Sequence, residues 1–100
     1  MRDPIILEKV KASLAELVRL SPGRAIEVRI PPYAAVQCGD GPTHTRGTPP
    51  NVIEMDADTW LALVQGEKKW ADALGEGLIN ASGARADLSA LLPLQNRISS

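Results

Sequence analysis

Val52-Ile53-Glu54-Met55-Asp56-Ala57-Asp58-Thr59-Trp60-Leu61-Ala62-Leu63-Val64-Gln65-Gly66 changes its period halfway along. Val52 to Met55 is a short apolar run of strand type. Asp56 then stands where a helix N-cap is expected. Asp58 falls inside the first turn, where the helix dipole favours an anion. Met55 and Trp60 occupy the two positions of a hydrophobic staple. Trp60, Leu61, Leu63 and Val64 supply the apolar side of the helix, and Gly66 is its expected C-terminal stop. A second, shorter helix is predicted from Trp70 with Ala71, Ala73 and Leu74, ended by Gly75 and Gly77. Leu78 to Ser82 then reads as a strand closed by Gly83. A strand, two grouped helices and a strand belong to an α+β layer rather than to an alternating α/β sheet.

The flanks agree with this. Upstream, Asp3-Pro4 is a helix start, with Asp as N-cap and Pro at the first helical position. Ile6, Leu7, Val10, Leu14, Leu17 and Val18 recur at helical spacing until Ser21-Pro22-Gly23 ends the run. Ile26, Val28 and Ile30 then alternate with Glu27 and Arg29, the pattern of a half-buried strand. Pro31-Pro32 interrupts it as a turn or a kink at a sheet edge, and Tyr33 to Cys38 reads as the next strand. The loop Gly39 to Asn51 is rich in Gly and Pro, and Thr43 to Arg46 is its candidate for a short strand. Downstream, Leu88, Leu91 and Leu92 predict one or two helical turns halted by Pro93, and the polar tail 95–100 is expected to fray. The architecture expected is α+β, with helices packed on one face of a mostly antiparallel sheet of about five strands, in a single domain spanning 1–100.

Bulk properties narrow the function. A net charge of −1 argues against nucleic acid as a partner, since such faces are basic. Lys68-Lys69 is the longest basic run and reads as solvated surface. The one cysteine, Cys38, rules out an internal disulfide and points to a reducing compartment. No signal-peptide pattern or bilayer-length apolar run is present, so the expected location is the cytoplasm, without integral membrane association.

Chemistry finds little support. Cys38 and His44 flank one loop, but no third group is placed to orient the histidine as a base. One Cys and one His fall short of the four ligands of a structural zinc site. Asp56 and Asp58 lack the glycine and glutamate that a calcium loop needs. The expectation is therefore no enzyme activity, no cofactor and no metal. His44, Arg46 and Thr48 form the one polar group suited to a carboxylate or phosphate, and Arg46 can grip such a group with two hydrogen bonds. Trp60 and Trp70 read as packing anchors that also suit the wall of an apolar cavity.

From Asp56-x-Asp58-x-Trp60-Leu61-x-Leu63-x-x-Gly66 through Trp70-x-x-Ala73-x-x-x-Gly77-x-Ile79-x-x-Ser82-Gly83 to the Leu-rich end, the chain resembles the sterol carrier protein, or nonspecific lipid-transfer, family. With Gln37-Cys38 and Thr45-Arg46-Gly47-Thr48-Pro49-Pro50 included, it looks most like small stand-alone bacterial members of an actinobacterial type. The resemblance implies helices that cover a sheet and enclose an apolar tunnel, and lipid or acyl-chain binding without chemistry. It makes Trp60, Leu63, Val64, Trp70, Leu74 and Ile79 the candidate lining. The chain is Phe-free and carries a Pro-rich loop in place of part of the sheet, so a small ligand is expected. The function predicted is non-enzymatic binding or carriage of a small apolar or acyl ligand in a pocket between helices and sheet. His44, Arg46 and Thr48 would meet the ligand's polar end. The alternatives are a protein-interaction or homodimer module, and an accessory domain to a thiol-dependent isomerase or transferase with no ligand of its own.

Overall fold

A computed structural model describes residues 3–41 and 51–94. The expected strand at Thr43–Arg46, the site residues His44, Arg46 and Thr48, and the tail 95–100 lie outside them.

The first helix, α1 (Pro4–Leu20), begins as its sequence dictates. The Asp3 carboxylate accepts from the N–H groups of Ile5 and Ile6, and Pro4 takes the first helical position. Its stripe of Val10, Leu14 and Leu17 is fully buried, and Ile6 and Val18 pack at the margin. Strands β1 (Ile26–Ile30) and β2 (Ala34–Cys38) form an antiparallel hairpin. The Pro31-Pro32 pair is its turn, with a cis peptide between the prolines and the Tyr33 N–H donating to the Ile30 carbonyl at 2.8 Å.

Strand β3 (Asn51–Glu54) pairs parallel to β1, and β4 (Asn80–Ser82) pairs antiparallel to β3. The four strands run in the order β2-β1-β3-β4. The parallel pair follows from register. Cys38 ends β2 opposite Ile26, and Asn51 starts β3 opposite the same Ile26. Leaving from beside Ile26, β3 then runs in the direction of β1. The sheet is thus mixed, with two of its three pairings antiparallel and four strands among the described residues.

The helices α2 (Ala57–Gln65) and α3 (Trp70–Gly75) come between β3 and β4. Asp56 caps α2 by accepting from the Thr59 N–H at 2.8 Å. One face of the sheet, with Ile26, Val28, Ile30 and Ile53, shares a single core with Val10, Leu14 and Leu17 of α1 and with Trp60, Leu63 and Trp70. The other face carries Glu27, Arg29, Gln37 and Glu54. Helices therefore cover one side of the sheet, and the polar alternation of β1 marks the side they leave.

Two backbone contacts tie the exit of α1 to the exit of β2. The Gly39 N–H donates to the Ser21 carbonyl at 2.8 Å, and the Ala25 N–H donates to the Gly39 carbonyl at 3.1 Å. Gly23 lies so close that a Cβ there would sit 1.9 Å from the Gly39 oxygen, which only glycine avoids.

A cleft between the two central helices and the C-terminal turn

Gly66 ends α2 in the left-handed conformation, at φ 81°, and the Glu67 N–H donates to the Ala62 carbonyl at 2.9 Å. The chain reverses there and enters α3 at Trp70 within four residues. The end of α2 and the start of α3 are thereby joined by a short link. The segment after β4 comes back over this corner. Pro93 lies 3.4 Å from where a Cβ on Gly66 would be, which brings the C-terminal turn onto the end of α2. The Leu92–Pro93 peptide is cis.

These three pieces enclose a cleft of about 400 Å³. Leu63 and Trp70, both buried, form its base, and half-buried Leu92 and Pro93 form one wall. Ala71 and Ser89 border it, and Lys68 and Lys69 stand at the rim. The volume lies in the range of small-molecule sites, and the apolar base with a few polar groups at the edge is their usual composition. A second, more open groove of about 410 Å³ runs beside the Pro31-Pro32 turn. It includes Arg29 and Glu54 of the polar sheet face, which suits it less to an apolar guest.

The residues expected to line a pocket separate into groups. Leu63 and Trp70 line the cleft together. Trp60 is fully buried behind them, its indole N–H donating to the Ser13 hydroxyl at 2.8 Å. Val64 and Ile79 are buried in the same core. Leu74 is 45% exposed and stands outside the cleft. A pocket between helices and sheet was expected, whereas this cleft lies at the junction of the helices with the C-terminal turn. The interface with the sheet is occupied by Trp60, Leu14, Leu17, Val28 and Ile53, none more than 1% exposed.

Sequence reasoning missed Lys68, Lys69, Ser89, Leu92 and Pro93 as lining residues. The available signal was the short Gly66–Lys69 link, which places a basic pair at a junction of two apolar helices.

The chemistry available elsewhere is slight. Cys38 is a free cysteine with no exposed surface, and burial pushes its thiol up to about 11. A nucleophile needs the thiolate, which this environment disfavours. Among the described residues no group of three His, Cys, Asp or Glu side chains is placed to hold a metal ion. No helix among them is long and apolar enough to cross a membrane.

The family model described as bacterial SCP ortholog, SCP standing for sterol carrier protein, matches residues 4–94. The match runs from the first residue of α1 to the wall of the cleft. No curated protein matches the chain.

Proposed function

The chain belongs to the bacterial SCP ortholog family, and from that premise we propose that it binds and carries a small apolar or acyl ligand, without chemistry of its own, in the cleft between α2, α3 and the C-terminal turn. The observation that carries this reading is the apolar base formed by Leu63 and Trp70 beneath an opening of about 400 Å³. Binding would be partition: each Å² of apolar surface removed from water contributes about 25 cal/mol before the costs of association. The buried thiol of Cys38 suits a carrier better than a thiol-dependent catalyst.

The test is calorimetric titration with a medium-chain fatty acid, followed in parallel by tryptophan emission. A saturable emission change is expected in the wild type. It should be lost in Trp70→Phe, because Trp60 is sealed in the core and reports little. No saturable heat with any chain length would overturn the reading.

A second reading, an interaction or homodimer module, is favoured by one feature: Leu74 and Leu78 are 45% and 38% exposed at the end of α3. Sedimentation of wild type against Leu74→Ser separates the two, since a dimer built on this edge would dissociate while a carrier would keep its affinity.

A further inference from the structure

The cleft has a charge bias that the chain as a whole lacks. The protein carries a net charge of −1, yet the described residues that line the cleft include two lysines and no carboxylate. The two lysines are in different states. The Lys68 ammonium is engaged by the Glu76 carboxylate at 2.8 Å. Lys69 is exposed and has no ion pair among the described residues. Glu67, Asp72 and Asp87 flank the cleft in sequence without lining it, and Asp87 accepts from the Ser89 backbone N–H at 2.8 Å. One ammonium at the rim is thus left uncommitted, and its residue directly precedes the tryptophan that forms the base. A chain lying on Leu63 and Trp70 would bring its head to that rim.

We propose that this cleft is selective for an anionic amphiphile, with Lys69 as the residue that meets the charged head and Lys68 as a second cation held back by Glu76. The proposal rests on the reading of the cleft as the carrier site and deepens it. A lysine at a rim suits the task, because its methylene stem covers apolar surface while the ammonium stays in water. The ammonium is a point charge and accepts a carboxylate or a phosphate alike. A partly exposed pair of this kind is worth up to about fivefold in affinity, and salt weakens it. A neutral head such as a hydroxyl gains none of this, so the charged and uncharged forms of one chain length are told apart at the rim.

The experiment is calorimetric titration of wild type, Lys69→Gln and Glu76→Gln with dodecanoate and with dodecanol, at low and high salt, and of wild type and Arg46→Ala with dodecanoate. Lys69→Gln is expected to weaken dodecanoate up to about fivefold and to leave dodecanol unchanged. Glu76→Gln is expected to tighten dodecanoate alone, by freeing Lys68. That gain cannot arise from a damaged fold, and Glu76 is an exposed side chain. High salt should erase both differences. Equal effects on the acid and the alcohol, or none, would overturn the proposal while leaving the cleft as a carrier site. Loss of dodecanoate affinity in Arg46→Ala with none in Lys69→Gln would also overturn it and put the head at the loop. Failure of wild type to bind either probe would remove the carrier reading, and the proposal with it.

Discussion

Cys38 ends β2 opposite Ile26, with its side chain on the buried face of the sheet, and has no solvent contact. Burial there favours the neutral thiol, and the pKa rises from 9.0 to about 11. The folded state thus holds its proton more tightly than the unfolded chain does. The stability this brings is complete below pH 9 and is lost as pH rises through 11, an effect of about 2–3 kcal/mol. Denaturant unfolding between pH 7 and 11 should show this decline in wild type and a flatter profile in Cys38→Ala. Thiol labelling at pH 7 should be slow until the protein unfolds. The free, buried state of this residue was legible in the sequence, because a single cysteine at the end of an apolar strand has no partner to bridge to. The two aspartate caps were legible for a similarly local reason. Asp3 and Asp56 bond to N–H groups two or three residues on, so their environment is written in adjacent residues.

Elements join through contacts that adjacent residues do not announce. Ser13 of α1 donates its hydroxyl to the Lys9 carbonyl at 2.8 Å and accepts from the Trp60 indole of α2 at 2.8 Å. It is a polar residue on the buried side of α1, and its partner is 47 positions away. Ser13→Ala would leave the indole N–H without an acceptor in a dry core. The expected cost is about 1–3 kcal/mol, read as a lower denaturant midpoint with an unchanged slope. Competition for backbone groups explains where elements depart from their expected bounds. β4 was expected from Leu78 but starts at Asn80, because the Leu78 N–H is used to close α3 by donating to the Ala73 carbonyl at 3.0 Å. The leucines at 88, 91 and 92 were expected to make helix and form a turn, with Leu91 N–H on the Leu88 carbonyl at 2.9 Å. There the Asp87 carboxylate takes the Ser89 N–H, and the residue before Pro93 is steered away from helical angles. Side chains that compete with the helix ladder are hard to weigh against hydrophobic spacing in a sequence.

At the scale of the whole molecule, the cleft depends on a segment that belongs to no helix or strand. Its wall, Leu92 and Pro93, follows β4 without regular backbone pairing of its own. The sequence showed the two helices and, in Leu63 and Trp70, the base of the cleft. It could not show that the chain end returns over their junction, since that depends on a long-range anchor. The anchor is Asn51, buried at 4% exposure at the start of β3. Its amide donates to the Ala25 carbonyl at 2.9 Å, and its oxygen accepts from the Arg85 N–H at 2.8 Å. Arg85 extends the link by donating from its guanidinium to the Asp40 carbonyl at 3.2 Å. One side chain thereby fixes the C-terminal segment to the end of the sheet where β1 and β3 begin and β2 ends. Asn51→Ala would leave the Ala25 carbonyl and the Arg85 N–H unpaired, at a cost of about 1–3 kcal/mol. Part of that loss should be local, because Asn51 accepts directly from the backbone N–H of Arg85 in this segment. Amide exchange over residues 85–94 should therefore rise more than exchange over α1. Affinity for dodecanoate should fall although Asn51 does not line the cleft. If exchange rose uniformly and affinity followed global stability alone, the C-terminal turn would be a passive cover rather than a wall held in place by Asn51.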